Sequence, residues 1–441
     1  MILKEKFDDI VKINENCFRI GNTSIFVDIV YTSIGIVRIG SMPDISKFMR
    51  KYKIEENIIV VPDWYVSQGG DNRTGEGFCF WSSILFHNYP KLFIGKENNV
   101  DKLYRNLDMI VSYYFNPSMT KIVKKRWLNK LFTGSELKND IFYKKDNVKI
   151  KFENEKIIII DNNKIRYENI PIFPKSNILI EKLLLSTPRF EKSFNSIEIM
   201  VVGSGNGYIG TASSFVVKLG NYMLWIDPCS QPAFSLGKVG IHWDDVSHIL
   251  ITHNHEDHIL GFTACLKRAI DKRRKIKLIT APSIYKTLLK QFNILFPNME
   301  KYIEFISLTP DKSIMLYDSK IEARWNHHII PYGTLGLKIS RKGSCFGFSG
   351  DTKYDEKIIA SLKRKNLEPK WFENCDIVFH EVDFEPFKTV HTNYKELLKL
   401  EKKIKGKLFV YHTDSKKIKG GLNMVLERQN YILNNGKLEI R

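Results

Sequence analysis

The sequence predicts an α/β domain of mixed layers over residues 196–441, preceded by a separate mixed α+β domain over residues 1–190. Three observations carry that expectation. The chain has 441 residues, enough for two or three domains of roughly 150 residues. Near residue 197 the pattern changes to strand, glycine turn, strand, strand, loop and helix, the order of a mixed α/β layer structure. An apolar strand then opens directly onto His253-Asn254-His255-Glu256-Asp257-His258, which places three histidines and an aspartate within a five-residue step.

Composition bounds the class. With 43% hydrophobic and 27% charged residues the chain lies in the globular range, which excludes a disordered, collagen-like or coiled-coil protein. The amino-terminal run MILKEKFDDIVKI alternates charges with aliphatics and lacks the apolar core and cleavage site of an export signal. Apolar stretches such as 157–160 are far shorter than the roughly 20 residues that span a bilayer, so no membrane segment is expected. Six cysteines (Cys17, Cys79, Cys229, Cys265, Cys345 and Cys375) form no Cys-x-x-Cys pair, which points to a reducing, cytoplasmic setting rather than a zinc ribbon or disulfide framework. The formal charge of +19 divides into +8 through Asn195 and +11 after it. It follows length, and both a lysine-rich background and a phosphate-rich substrate account for it.

Taken in order, the first half reads as short strands within 18–39 and at 57–61, with a helix after Pro43 and Asp44. A glycine-rich, aromatic segment at 62–81 reads as core or interface first and as a base-stacking loop second. The basic helix at 121–131 (Lys121, Lys124, Lys125, Arg126 and Lys130) reads first as a solvated face and second as a nucleic-acid patch. Residues 148–167 read as a three-stranded meander, and a boundary is expected at 186–196. No repeat at solenoid or propeller periods is visible. In the second half, 197–202, 214–219 and 223–227 read as strands. Gly205-Asn206-Gly207-Tyr208-Ile209-Gly210 has the spacing of a dinucleotide fingerprint, but that motif must open a helix, and here a strand follows. A strand-connecting turn is the better reading.

The histidine motif carries the chemistry. Neutral imidazoles and a carboxylate are ligands that divalent zinc, manganese or iron accept, and four of them on one turn can supply two adjacent ions. The motif, with Asp227 at the preceding strand end, resembles the metallo-β-lactamase superfamily, and within it the phosphodiesterase branch that includes ribonuclease Z. The resemblance covers about residues 197–441. It implies an αββα sandwich and two divalent metal ions, zinc first, with manganese or iron as alternatives. The implied ligands are His253, His255, Asp257, His258, His328, Asp351 and His412, with His327 as the alternative to His328. Asp351, in Phe348-Ser349-Gly350-Asp351, is the implied bridge. His380-Glu381 and His391-Thr392 resemble two further ribonuclease Z loops. They imply that His391 protonates or stabilises the leaving oxygen and that Glu381 orients it; in the binuclear hydrolysis expected of such a site, Asp257 holds or deprotonates the attacking water. Only 23 residues separate His328 from Asp351, so the long arm that many ribonuclease Z proteins insert there is missing.

The expected activity is metal-dependent hydrolysis of a phosphodiester in RNA, DNA or a cyclic nucleotide. The alternatives are hydrolysis of a lactone, thioester or amide, or a nucleic-acid-binding member with secondary catalysis. Lys416 and Lys417, just after His412, read equally as a phosphate lure and as a solvated loop. The first domain is expected to serve recognition or to form a homodimer.

Overall fold

Short runs of Ile, Val and Phe form the strands of the first half: β1 (Asp9–Asn14), β2 (Cys17–Gly21), β3 (Phe26–Thr32), β4 (Gly35–Ile39), β5 (Glu56–Val61), β6 (Lys91–Gly95) and β7 (Phe132–Glu136). The computed structural model describes residues 9–21, 26–40, 49, 54–61, 90–95, 97–136, 143–153, 156–169, 195–207, 211–230, 232–310, 312–328, 333–355, 370–385, 389–413 and 418–441. The glycine-rich segment at 62–81, the helix expected after Asp44, and Lys416 and Lys417 lie outside these residues.

The described residues divide into two compact units, the first built on residues 1–179 with 263–268 and 291–297, the second on the remainder. In the first unit β1 to β7 form one sheet in sequence order, antiparallel as far as β4 and parallel from β4 to β7. Both faces are buried, as parallel strands require. Ile58 and Val60 point to one side, and with Val30 and Val37 they meet Val148, Ile150, Ile157 and Ile159. These come from the expected three-stranded meander, β9 (Val148–Glu153), β10 (Lys156–Asp161) and β11 (Lys164–Asn169), which a further strand, β8 (Tyr143–Lys145), extends. Ile59 and Val61 point to the other side and pack on Leu103, Leu107, Ile110 and Val111 of helix α1 (Glu97–Tyr114). The basic segment is helical, with α2 (Pro117–Val123) running into a π-helical turn, Lys124–Leu128. Val123 and Leu128 are buried and Lys121, Lys125 and Arg126 are exposed. Lys124 pairs with Asp108 at 2.6 Å. That arrangement is the amphipathic face of a surface helix.

The second unit holds two sheets. The first comprises β12 (Ile197–Gly203), β13 (Ser214–Leu219), β14 (Tyr222–Ile226), β15 (His248–Leu250), β16 (Ile276–Thr280) and β17 (Ile303–Ser307), extended beyond β12 by β25 (Asn430–Asn434) and β26 (Lys437–Ile440). The other runs in order through β18 (Ser313–Leu316), β19 (Ser319–Trp325), β20 (Leu335–Arg341), β21 (Ser344–Phe348), β22 (Ile377–Glu381), β23 (Lys407–Tyr411) and β24 (Asn423–Met424). Phe215 on β13 meets Phe348, Phe379 and Tyr411 edge-on or tilted, with centroids 5.3–5.7 Å apart, so aromatic rings fill the space between the sheets. Helices α3 (Pro232–Lys238), α4 (Glu256–Asp271) and α5 (Pro282–Phe292) connect the parallel strands of the first sheet, and α6 (Tyr394–Glu401) packs Leu397 and Leu400 on Val378 and Val410 of the second. Two facing sheets with helices packed beside them are the αββα layering that the family resemblance implies. The glycine run expected to turn the chain lies partly outside the described residues, between β12 and β13.

One correspondence was not visible in the sequence. From β2 to β7 the neighbours pair antiparallel twice and then parallel three times, and β12 to β17 pair in the same order and senses. The two halves therefore share a sheet topology. Ten of the eleven histidines lie in the second half, with His87 the sole exception. Among the described residues no helix is long and apolar enough to cross a membrane.

Candidate metal centre

Six chain segments end at one place in the second unit. β14 ends at Asp227, and β15 runs into the loop that presents His253 and His255 and then enters α4 with Asp257 and His258 in its first turn. β19 leads to His328, β21 to Asp351, β22 to Glu381 and β23 to His412. Asp227, Gly350 and His412 have positive φ of 50°, 58° and 65°. The chain thus turns sharply at these ends, freely at Gly350 but with a strain at Asp227 and His412 that surrounding contacts must hold. At His412 the contact is its backbone N–H donating to Ser204 O at 2.7 Å, so the end of β12 seats this histidine.

The side chains fall into two groups sharing Asp351. His253, His255, His328 and Asp351 present ligand atoms within 4.8 Å of one another, and so do Asp257, His258 and His412. Asp351 Oδ2 lies 3.8 Å from His253 Nε2, 3.9 Å from His328 Nε2 and 3.5 Å from His412 Nε2, and Asp351 Oδ1 lies 3.5 Å from His258 Nε2. These separations are too long for good hydrogen bonds. They suit atoms sharing an ion at about 2.0–2.2 Å each.

The ring orientations point the same way. His258 Nδ1 donates to Asp227 Oδ2 at 2.8 Å. Thr252 gives its hydroxyl proton to Asp227 Oδ2 at 2.6 Å, so His253 Nδ1 donates to Thr252 Oγ1 at 2.9 Å. His328 Nδ1 donates to the carbonyl of Val390 at 3.3 Å. Each ring therefore turns an Nε2 lone pair to the centre, as protein-held metal ligands do. His258 Nε2, Asp351 Oδ1 and His412 Nε2 are buried with no hydrogen-bond partner among the described residues. Such orphaned atoms are costly unless a cation meets them.

Electrostatics separates the histidines. Desolvation, with the crowding of neighbouring imidazoles, holds His253 and His255 well below the usual histidine range, and His328 is pushed down to about 4 mainly by burial. Burial also opposes charge on His258, but Asp351, Asp257 and Asp227 overcome it and hold this ring well above its ordinary value. Burial would raise Asp351, and the surrounding histidines hold it well below. A field that favours a proton on His258 also favours a metal ion.

His391 stands beside this cluster. Its Nδ1 donates to Glu381 Oε2 at 3.1 Å and lies 3.9 Å from Asp351 Oδ2. Burial opposes its charge, yet Glu381, Asp351 and Asp257 raise it to about 9. Glu381 is itself fixed, with Oε1 accepting from the N–H groups of Thr352 and Thr392, each at 3.1 Å. His380 faces away, its Nδ1 donating to Glu381 O at 2.8 Å, and burial lowers it to about 4. The structure thus brings together His253, His255, Asp257, His258, His328, Asp351, His412, Glu381 and His391. His327 contributes a backbone carbonyl, which accepts from Lys353 N at 2.7 Å.

Sequence reasoning gave no role to Thr252 or Asn326. Thr252 ties Asp227 to His253. Asn326 Nδ2 donates to Ser349 O at 2.6 Å and to Asp351 O at 3.1 Å, which joins the strand end of His328 to that of Asp351. The only signal was adjacency: each stands one or two residues before a histidine.

Comparison with known proteins follows this geometry. The model of a family described as Anti-Pycsar protein Apyc1 matches residues 197–427. The cAMP/cGMP-dependent 3′,5′-cAMP/cGMP phosphodiesterase B of Dictyostelium discoideum is 23% identical over 279 residues, which cover 60% of this chain and 24% of that protein. The chain thus spans about a quarter of this relative's length. The Anti-Pycsar protein Apyc1 of Paenibacillus sp. (strain J14) is 22% identical over 228 residues, covering 49% of this chain and 89% of that protein. Among solved structures, the metallo-β-lactamase fold protein YhfI of Bacillus subtilis aligns with a TM-score of 0.44 and 16% identity, covering 54% of this chain and 99% of that one.

Proposed function

The chain belongs to the Anti-Pycsar protein Apyc1 family, and on that premise we propose that it is a metal-dependent phosphodiesterase that hydrolyses 3′,5′-cyclic nucleotides. The observation that carries the reading is the pair of candidate ligand groups meeting at Asp351, with His391 alongside and its Nδ1 on Glu381. In this reading His253, His255, His328 and Asp351 hold one divalent ion, and Asp257, His258, His412 and Asp351 hold a second, zinc or manganese in kind. When bound, such a pair acidifies water and neutralises charge on the phosphate oxygens. The chain's own residues do the rest. Asp257 takes a hydrogen bond from the attacking water and receives its proton, while the oxygen of that water bonds to phosphorus. The bond from phosphorus to the leaving ribose oxygen breaks, and His391 Nε2 gives that oxygen its proton. Glu381 keeps His391 charged and aimed. The 3′,5′-cyclic phosphodiesterase named above supports the choice of substrate. The first unit, whose sheet carries no comparable histidine set, then serves recognition or pairing rather than chemistry.

The test is a substrate panel with full-length protein and added zinc or manganese: cyclic AMP and cyclic GMP, a short RNA, bis-p-nitrophenyl phosphate and a nitrophenyl ester. Turnover of the cyclic nucleotides to 5′-monophosphates, lost in Asp351→Asn, is the expected result. Turnover of the ester alone would move the protein to the lactone, thioester or amide hydrolases.

A further inference from the structure

Away from the metal centre, two cysteines lie against each other. Cys345 is on β21 and Cys375 stands two residues before β22, with their sulfurs 3.1 Å apart. Both are free thiols, 9% and 2% exposed. Phe346 and Phe348 take the inner face of β21, so Cys345 and Gly347 fall on its outer face, where Cys345 packs with Trp371, Phe372 and Cys375. Gly347 makes the approach feasible, because a Cβ there would lie 2.6 Å from the Phe372 ring and 3.1 Å from the Cys375 sulfur. The backbone is fixed on both sides of the pair. Cys345 N donates to Asp376 Oδ2 at 2.7 Å, and Asp376 N donates to Cys345 O at 2.9 Å.

Cys345 forms part of the wall of a surface cavity of about 340 Å³, together with Lys320, Ser340, Arg341 and Lys342. The two thiols also differ. The hydrogen bond from Cys375 lowers Cys345 against the opposing effect of burial, with Lys338 helping, while the same contact and burial raise Cys375. Two thiols in contact, one to be oxidised and one to resolve it, are the pairing that oxidation-sensitive sites use.

We propose that Cys345 and Cys375 form a modification site at which a peroxide makes a reversible disulfide. The sulfur of Cys345 attacks one oxygen of hydrogen peroxide. The O–O bond breaks, leaving a sulfenic acid on Cys345 and releasing hydroxide, which takes up a proton to become water. The sulfur of Cys375 then bonds to that of Cys345, and the sulfenic oxygen departs as a second water carrying the Cys375 proton. Two thiols and one peroxide thus give one disulfide and two waters. The sulfurs close from 3.1 Å to about 2.05 Å, a motion of one ångström. β21 and β22 run parallel from this end towards Asp351 and Glu381, so the bond clamps both strands at the end remote from the metal centre.

The experiment treats reduced full-length protein with hydrogen peroxide, alkylates it in denaturant and maps the peptides by mass spectrometry without reductant. The expected result is a linked peptide pair holding Cys345 and Cys375, lighter than their sum by two hydrogens and released by dithiothreitol. Alkylation at both positions falls at least about tenfold, while Cys17, Cys229 and Cys265 stay alkylatable. In Cys375→Ala the sulfenic acid on Cys345 persists and is captured by dimedone. Full alkylation of Cys345 and Cys375 after peroxide, or sulfinic acid on Cys345 with Cys375 still free, would overturn the proposal.

Discussion

Asp351 and His391 face each other across 3.9 Å and act by different physics. Asp351 is the carboxylate on which both candidate ligand groups converge, so in the proposed reading its removal acts through metal retention. His391 spends its Nδ1 proton on Glu381, and in the proposed reaction it handles a proton without holding metal. His391→Ala should therefore keep its metal content while turnover of cyclic AMP falls about 10²–10⁴-fold, the usual contribution of general acid catalysis. The fall should shrink for bis-p-nitrophenyl phosphate, whose leaving group needs little protonation. An equal loss on both substrates, measured beside elemental analysis, would remove the acid role. At this scale the sequence was readable where several candidate ligands share one turn. His253, His255, Asp257 and His258 announce themselves, whereas His328, Asp351 and His412 are single residues at separate strand ends and were assigned through the family resemblance. Thr252 and Asn326 are common polar residues whose role is a contact distant in sequence, so nothing local marks them.

The elements that aim these residues can be tested separately from the chemistry. Gly261 lies in α4, three residues after His258, with its N–H donating to Pro228 O at 2.9 Å. A Cβ at Gly261 would fall 2.1 Å from Cys229 O and 2.8 Å from Pro228 O, both backbone atoms of the loop that follows Asp227. Gly261→Ala must push the helix of Asp257 and His258 away from that loop, at a cost of about 1–3 kcal/mol read by denaturant unfolding. An unchanged midpoint would show that the helix has room to move. His248 on β15 gives a second handle, since burial first and Lys277 second lower it from 6.5 to about 4. Between these values the unfolded chain holds a proton that the folded chain refuses. Its contribution is present above pH 6.5, is lost as the pH falls towards 4, and changes no further below that. A His248→Gln variant should accordingly lose less stability than the natural chain over the same window, measured as the difference in unfolding midpoint at pH 7 and pH 4.5. Parallel curves would assign the acid sensitivity elsewhere.

For the whole molecule, the two halves share a strand order but not a chemistry. The repeat escaped the sequence because what recurs is the sense and order of pairing, which strands of unlike residues satisfy equally well. The family match covers residues 197–427, and ten of the eleven histidines lie in the second half. This makes stoichiometry informative, because two sheets of one topology with a single set of ligands should bind one pair of ions. The most direct test strips the full-length protein of metal and adds back zinc or manganese in known amounts while following cyclic AMP hydrolysis. The account predicts no turnover without metal and a rise that levels off at about two ions per chain. Full turnover by metal-free protein, or a plateau only near four ions, would contradict it.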